Sequence, residues 1–367
     1  MMVPRIAIFG AGAIGVYLAG KLAQGGVPVR LIARPEAAAQ IARAGLVIDE
    51  GEERLQISAA KNPNFWVGTA AEARRHVEQT GLAPDALLIT TKSQQIVPAL
   101  AEIAPLLTPQ TLIACLQNGI PWWYLQGLDP LPNHPSPPLA ALAGHSFATL
   151  DPEGVLPKAL PPQQVSGVVI HKSAEQIAPG HVEARRVEGD RFLFGSPLPE
   201  HEPAGEAAVR AAFEQAGLRA EKSTDIRHAV WEKLLGNAVL NPLSALTGAS
   251  VREIVEFPLT RQLGLAAMEE ALTIAAASGV DLQISLTQRL ERARAVGDVR
   301  TSMLQDKIRA RPLEVEGILG TLLELAHMTQ TAAPRLKTLH AATALLSQTL
   351  VAGGQPSFPF SSTGALP

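Results

Sequence analysis

Short apolar runs recur in the first third of the chain, and the first of them is followed by residues with helical spacing. Four of these runs have the composition of strands buried on both faces of a parallel sheet: residues 5–9, 29–33, 85–90 and 111–116. After the first run, Ile14, Leu18 and Leu22 recur on one face of a predicted helix that extends to Gln24. Four such strands, with a helix directly after the first, predict an α/β domain around a parallel sheet.

Other patterns follow along the chain. Residues 45–57 are typical of a hairpin, and residues 167–195 alternate as strands with a turn at Pro179–Gly180. From residue 206 to about residue 352 helical spacing dominates; the predicted helices are 206–216, 226–242, 259–278 and 286–294, with one short strand at 220–224. Residues 353–367 are rich in small and turn-forming residues, and we interpret them as a flexible tail.

Length and composition narrow the class of protein. A chain of 367 residues predicts two domains, and a net charge of −3 gives no basis for a nucleic-acid partner or an anionic membrane surface. No run of about twenty apolar residues predicts a membrane span, and the glycine-rich turn interrupts any signal peptide. Cys115 is the single cysteine, so an intramolecular disulfide is excluded and a core position is favoured. We expect a soluble, cytoplasmic protein.

The first apolar run leads directly into a glycine-rich turn, Gly10-Ala11-Gly12-Ala13-Ile14-Gly15. A strand, a GxGxxG turn and a helix in this order are the context that a dinucleotide-binding motif requires. Gly10 would form the tight turn, Gly12 would let the backbone approach a pyrophosphate, and Gly15 would let helix and strand pack closely. The free N–H groups at the start of the helix would then bind phosphate.

The residue that follows the second predicted strand indicates which dinucleotide binds. NAD-binding folds usually place Asp or Glu there, where the carboxylate accepts a hydrogen bond from the ribose 2′-hydroxyl. This chain has Arg34 and no acid at the strand end. Since a guanidinium prefers a 2′-phosphate, we infer NADP(H); the alternative is a solvated loop arginine.

Polar residues also follow the other two predicted strands. Lys92 lies in Thr91-Lys92-Ser93, and Asn118 lies in Gln117-Asn118-Gly119. The carboxyl ends of parallel strands are where ligands bind in open α/β sheets, although Asn-Gly after a strand is equally typical of a simple turn. Together these strand ends favour a common crevice.

Residues 121–164 interrupt the α/β pattern with a proline-rich stretch that predicts little regular structure. Trp122-Trp123-Tyr124 at its start could cover a site as a lid or anchor the insertion, and we favour the anchor. His171 and His181 fall in alternating strands, where exposed or hydrogen-bonded histidines are more common than metal ligands. Without cysteines or acids at zinc spacing, we expect no metal site.

The predicted helix at 226–242 carries the most distinctive polar pattern. Lys233, Asn237 and Asn241 follow one another at intervals of four and so share one helix face, flanked by bulky apolar residues. One ammonium and two amides in a row could hold a carboxylate or a carbonyl oxygen; an ordinary amphipathic surface helix is an equally valid interpretation. Pro242 disfavours helical geometry in the residue before it, so we predict that Asn241 lies near the helix end.

These motifs together resemble the ketopantoate reductase family, whose members reduce 2-dehydropantoate to pantoate with NADPH. The resemblance extends to about Leu350 and depends on four blocks: GAGAIG, KLLGNAVLNPLSAL from Lys233, SMLQD from Ser302, and Glu314. It implies an NADP-binding Rossmann-type domain over residues 1–225, with an insertion at 121–164. A helical substrate and catalytic domain over residues 226–352 and a tail at 353–367 would follow.

The resemblance also implies a role for each matching residue. Lys233 matches the catalytic lysine that donates a proton to the carbonyl oxygen, and Glu314 matches the acid near that lysine. The implied cofactor positions are Gly10, Ala11, Gly12, Ala13, Ile14, Gly15, Arg34, Lys92, Asn118, Ala174 and Glu314. The implied substrate positions are Asn118, Lys233, Asn237, Asn241 and Ser302.

Two departures from the family pattern keep alternatives open. The insertion at 121–164 is longer than the pattern needs, and Val299 stands where an amide side chain would favour substrate contact. One alternative is an NADPH-dependent reductase of another branched 2-oxo acid, and another is a non-catalytic NADP(H)-binding regulatory protein. The helical domain could also form a homodimer.

Overall fold

The computed structural model describes residues 3–128 and 143–351. Two compact units divide the chain. The first contains the residues up to Leu234 together with Leu272–Gln283 and Glu316–Thr331. The second contains Leu235–Ala271, Ile284–Val315 and the residues from Ala332 onward. The first unit is α/β and the second is helical in its described part, which confirms the predicted fold class.

All the strands of the described residues lie in the first unit. They are β1 (Ile6–Phe9), β2 (Val29–Ile32), β3 (Leu46–Glu50), β4 (Glu53–Ile57), β5 (Phe65–Gly68), β6 (Ala86–Ile89), β7 (Leu112–Cys115), β8 (Val165–His171), β9 (Ser173–Ala178), β10 (His181–Arg185), β11 (Arg191–Gly195) and β12 (Ala220–Lys222). Eight of them form one sheet in the order β12-β11-β8-β7-β6-β1-β2-β5, in which β8 and β11 are antiparallel. The four strands predicted from apolar runs are β1, β2, β6 and β7, side by side and parallel.

The order of the sheet strands reverses beside β1, because β2 lies on one side of it and β6 on the other. Alternate residues of β1 face two different apolar cores: Ile6 and Ile8 face one, and Ala7 and Phe9 the other. Cys115 is buried in the second core, as predicted, and burial raises the pKa of its thiol to about 12. Ligands of open α/β sheets bind at the carboxyl ends of the strands where the order reverses.

Helices flank this sheet and form the second unit. Their bounds are Ala13–Gln24, Pro35–Ala44, Ala70–Thr80, Ile96–Ile103, Leu156–Ala159, Glu206–Gln215, Ile226–Thr247, Val251–Glu256, Pro258–Ala277, Leu286–Ala295, Ser302–Ile308, Thr321–Met328 and Pro334–Val351. Within the described ranges, no helix is both long and apolar enough to cross a membrane.

A second sheet, in the order β4-β3-β10-β9, was not predicted. The predicted hairpin (β3 and β4) and the alternating strands (β9 and β10) are both present, and a parallel pairing of β3 with β10 joins them. This sheet contacts the helix Ala13–Gln24. Local alternation predicts strands but does not say which distant strands pair, so the joining of the two hairpins could not be inferred.

The insertion is anchored by its aromatic residues. Trp122, Trp123 and Tyr124 are each about 1% exposed, which confirms an anchor and not a lid. Glu324 also holds the segment, because its carboxylate accepts hydrogen bonds from the backbone N–H groups of Ala148 and Thr149 at 2.7 and 2.9 Å. The described part of residues 121–164 forms only short helical turns, as predicted, and residues 129–142 lie outside the described ranges.

Arg227 fixes the start of this insertion through hydrogen bonds to backbone carbonyl groups. Its guanidinium donates to the carbonyls of Tyr124 (2.9 Å), Pro197 (2.9 Å) and Gln126. Trp231, one helical turn later, donates to the Tyr124 hydroxyl at 2.7 Å. Because the carbonyls are enclosed with the guanidinium, removing that cation leaves them without their donor.

Replacing Arg227 by methionine is expected to lower the free energy of unfolding of the first unit by about 2–4 kcal/mol, since buried acceptors lose a charged donor. The measurement is a urea titration followed by tryptophan fluorescence. Arg219→Met is the matched control, because that side chain is 60% exposed and its ion pair with Glu221 is a surface one. The control should change stability by less than about 1 kcal/mol. Equal effects of the two substitutions would contradict the anchoring role.

The helix Ile226–Thr247, here called the Lys233 helix, does not end where the sequence predicted. It continues through Pro242 to Thr247, so the prediction that Asn241 lies near its end was wrong. Proline removes one backbone N–H donor, but Leu243 and Ala245 beyond it are almost fully buried. Burial of these side chains offsets the lost hydrogen bond, and Thr247 Oγ1 donates to the Leu243 carbonyl at 2.6 Å in the last turn.

Candidate active site

The glycine-rich turn lies at the carboxyl end of β1, and its backbone has the tight turn at Gly10 and the close helix packing at Gly15 that were predicted. Gly10 has φ = +117°, in the region that favours glycine. A Cβ atom on Gly15 would come within 1.9 Å of the Gly10 carbonyl oxygen, so only glycine allows the helix to start this close to the turn. A Cβ on Gly12 would meet no atom within 4 Å, so open space lies beside that backbone.

The helix Ala13–Gln24 begins in a way that suits an anion. Gly12 is its N-cap residue and offers no side-chain cap, and the first turn carries no acidic residue. The N–H groups of a first helical turn have no intrahelical partner, and the helix dipole adds partial positive charge there. Open space at Gly12 and an uncapped helix start together fit a phosphate group of a dinucleotide.

Arg34 lies two residues after the end of β2, at the strand end where the sequence predicted it. It is exposed and serves as the N-cap position of the helix Pro35–Ala44. Among the residues the structure describes, no hydrogen bond or ion pair of its side chain is found. An exposed cation at this strand end is geometrically suited to a 2′-phosphate.

Lys92 and Asn118 lie at neighbouring strand ends, because β6 pairs in parallel with β7 and with β1. Both are half-buried. Gln117 ties the two ends together, since its Nε2 donates to the carbonyls of Ile89 and Thr91 at 2.7 and 3.0 Å. The first unit therefore places Gly10, Lys92 and Asn118 along one edge of the sheet, and the predicted common crevice stays a prediction.

A π-helical segment, Glu316–Gly320, packs against the turn that contains Asn118. Ile120 donates to the Gly317 carbonyl at 3.1 Å. Gly119 has φ = +84°, and a Cβ there would come within 1.7 Å of the same oxygen. The glycine of the Asn-Gly pair is therefore required by this contact. π-Helical turns occur frequently at functional sites, and this one fixes the backbone beside Asn118.

Ala174 lies in β9, an edge strand of the second sheet, and is half-buried. Two residues further along, Gln176 Nε2 donates to the Ala11 carbonyl in the glycine-rich turn at 2.7 Å. His181 in β10 has its Nε2 2.6 Å from an Asp49 carboxylate oxygen, so it is a hydrogen-bonded histidine as predicted. No group of three or more His, Cys, Asp or Glu side chains that could hold a metal ion is found in the described residues.

Lys233, Asn237 and Asn241 lie on one face of a continuous helix, as their spacing predicted. Lys233 and Asn237 are half-buried, and Asn241 is 6% exposed. Gly236 lies between the first two. A Cβ at Gly236 would come within 2.8 Å of Arg289 Nη2, so the glycine makes room for a guanidinium beside the helix. The sequence did not predict this contact, because Arg289 lies on a helix that is distant in sequence.

Ser302 and Glu314 belong to the second unit. Ser302 is exposed at the first position of the helix Ser302–Ile308, where the Thr301 hydroxyl accepts a hydrogen bond from the Leu304 N–H at 3.2 Å. Glu314 is half-buried and directly precedes Val315 and the π-helical segment. Its neighbour Leu313 donates its N–H to the Ser347 hydroxyl at 3.0 Å, which fixes the backbone there.

Comparison with known proteins gives consistent matches along the chain. The family model "Ketopantoate reductase PanE/ApbA" matches residues 6–134, and "Ketopantoate reductase PanE/ApbA C terminal" matches residues 225–347. A 2-dehydropantoate 2-reductase of Mesorhizobium japonicum is 37% identical over 357 residues, which cover 95% of this chain and 99% of that protein.

Solved structures match over a similar length. A protein of Ralstonia solanacearum MolK2 that is assigned as a ketopantoate reductase has a TM-score of 0.81 at 31% identity, covering 95% of this chain and 99% of its own. The 2-dehydropantoate 2-reductase of Geobacter metallireducens GS-15 has a TM-score of 0.75 at 26% identity, covering 93% and 99%.

Proposed function

The chain belongs to the ketopantoate reductase family, and we propose that it reduces 2-dehydropantoate to pantoate with NADPH. The observation that carries the proposal is the near full-length identity of 37% to a 2-dehydropantoate 2-reductase. Two local features support it: a glycine-rich turn shaped for a dinucleotide, and one helix face that presents Lys233, Asn237 and Asn241. We also propose that residues 1–225 bind the cofactor and residues 226–352 supply most substrate contacts.

The cofactor would be held by groups of the first unit. Backbone N–H groups from Gly10 to Gly15 would donate to the pyrophosphate, and Arg34 would pair with the 2′-phosphate. Lys92, Asn118 and the backbone at Ala174 would contact the cofactor elsewhere along the same edge. Bound NADPH supplies a hydride to the carbonyl carbon of the substrate.

Lys233 would complete the reduction. When the C–H bond forms, the carbonyl π electrons move to oxygen, and the Lys233 ammonium stabilises this charge and transfers its proton to give the hydroxyl. Glu314 would orient the ammonium and contact the cofactor. Asn118, Asn237, Asn241 and Ser302 would hold the carboxylate and hydroxyl groups of the substrate, since amides and hydroxyls donate directionally without adding charge.

Replacing Arg34 by alanine is expected to raise the KM for NADPH about 10- to 100-fold, the equivalent of one or two charge-assisted hydrogen bonds, and to leave the KM for NADH unchanged. Steady-state rates with both cofactors measure this. Arg43→Ala is the matched control, because Arg43 is an exposed arginine in the last turn of the same helix. An equal rise of the KM for NADPH and for NADH would show that Arg34 does not bind the 2′-phosphate.

The proposal is tested by following NADPH oxidation by the purified protein with 2-dehydropantoate beside pyruvate and 2-oxoisovalerate. We expect turnover to be fastest with 2-dehydropantoate. A higher kcat/KM with another branched 2-oxo acid would replace the substrate and keep the mechanism. Tight NADPH binding without turnover of any 2-oxo acid would indicate a non-catalytic NADP(H)-binding protein and overturn the enzymatic assignment.

A further inference from the structure

We propose that Gln176 is a positioning residue for the cofactor phosphates, a role that rests on the proposed binding of NADPH. Its side-chain amide donates to the Ala11 carbonyl at 2.7 Å, across 165 residues of sequence. The hydrogen bond joins the edge strand β9 to the middle of the glycine-rich turn. Gln176 reaches the turn and is not itself expected to touch the cofactor.

The carbonyl groups of the turn are each held by a partner. The Gly10 carbonyl accepts from the Thr90 hydroxyl at 2.8 Å, and the Gly12 carbonyl accepts from the Val16 N–H at 2.9 Å. The Ala11 carbonyl accepts only from Gln176 among the described residues. Without these hydrogen bonds the peptide groups of the turn could rotate, because glycine tolerates nearly all backbone angles.

Holding a carbonyl also orients an N–H group. In a planar trans peptide the C=O and the next N–H point in opposite directions. Gln176 therefore directs the Gly12 N–H away from β9, and Thr90 likewise directs the Ala11 N–H. A flipped Ala11–Gly12 peptide would present a carbonyl oxygen to the phosphate in place of a donor, which would repel it.

The strand that carries Gln176 is itself fixed to the first helix. Lys172, next to β9, is 3% exposed and donates to Glu50 (2.6 Å) and Asp190 (2.7 Å). Glu50 also accepts from Tyr17 (3.0 Å) and Lys21 (3.2 Å), both in the helix Ala13–Gln24. Burial alone would raise the pKa of Glu50, but the Lys172 hydrogen bond and the nearby charges lower it to about 2, so Glu50 stays ionised at neutral pH.

Gln176 therefore sits on a strand whose position relative to the phosphate-binding helix is set by a buried ion network. A flexible loop could not hold the Ala11 carbonyl in one orientation at so low an entropic cost. The second sheet thus has a function in this family member: it fixes one peptide of the glycine-rich turn in its donating orientation.

The test compares the affinity for NADPH with that for adenosine 2′-monophosphate, which has the 2′-phosphate and lacks the pyrophosphate. Gln176→Met removes the amide at nearly constant volume. It should raise the Kd for NADPH about tenfold, the equivalent of one hydrogen bond, and leave that for adenosine 2′-monophosphate unchanged. The KM for NADPH should rise in parallel while kcat at saturation stays constant. Gln176→Glu should weaken NADPH binding further, since a carboxylate opposes the Ala11 carbonyl.

Ile177→Ala is the matched control, because Ile177 is the next residue of β9 and is 46% exposed. It should change neither affinity. Unchanged NADPH affinity in Gln176→Met, or equal losses for both ligands, would overturn the positioning role, since a merely structural effect does not separate them. Failure of the wild-type protein to bind NADPH would instead overturn the proposed function.

Discussion

Lys233→Ala is expected to lower the rate of the chemical step by roughly two to four orders of magnitude, the scale of general-acid catalysis combined with stabilisation of a developing oxyanion. We propose that the Lys233 ammonium both donates the proton and stabilises the oxyanion. Alanine is the best helix former, so the continuous helix from Ile226 to Thr247 should persist. Affinity for NADPH should change little, because the phosphate contacts are made elsewhere in the chain.

A single-turnover experiment that follows NADPH absorbance isolates this step from product release. Lys222→Ala is the matched control, since Lys222 is 51% exposed and pairs with Glu202 at the surface. The control should retain full activity. A folded Lys233→Ala protein with nearly full activity would exclude Lys233 as the proton donor, whatever the identity of the substrate.

The second large effect is expected in the glycine-rich turn, where a substitution of Gly12 should impair NADPH binding without lowering stability. Gly12→Ala is expected to abolish measurable NADPH binding while the melting temperature stays constant. The new methyl group meets no protein atom within 4 Å, so it projects into the space that the pyrophosphate needs. Gly12 has φ = −77°, which alanine adopts without strain.

Gly15→Ala should instead lower the stability of the protein. Its Cβ would come within 1.9 Å of the Gly10 oxygen and 2.7 Å of the Thr90 hydroxyl, so the helix or the turn must shift and stability must fall. Calorimetry and fluorescence titration of both variants measure the two effects. If Gly12→Ala binds NADPH like the wild type, the dinucleotide does not approach this turn.

Local sequence patterns predicted the parts of the fold that local physics determines. The strands that became β1, β2, β6 and β7 were visible as apolar runs, and the Lys233 helix as a periodic one. The end of that helix was predicted wrongly, because Pro242 acts on one hydrogen bond whereas burial of Leu243 and Ala245 depends on the packing around them. Tertiary contacts decided where the helix ends.

In the candidate site, too, features set by local physics were predicted and features set by tertiary contacts were not. The steric requirements at Gly10 and Gly15 were predicted, because they follow from backbone sterics, and the pyrophosphate role of Gly12 stays a prediction. Gln176 was missed, because its partner Ala11 is distant in sequence. One signal for Gln176 was available: it lies two residues after Ala174 in an alternating strand, so both face the same side. The pairing of the second sheet was not available from any local signal.

A label-transfer measurement with the wild-type protein tests the proposed reduction of 2-dehydropantoate. The protein is incubated with 2-dehydropantoate and NADPH that carries deuterium at the transferable position of the nicotinamide, and the product is analysed by mass spectrometry. We expect pantoate with one deuterium at carbon 2, formed in proportion to the NADPH consumed. NADPH consumption without labelled pantoate, or no consumption at all, would contradict it.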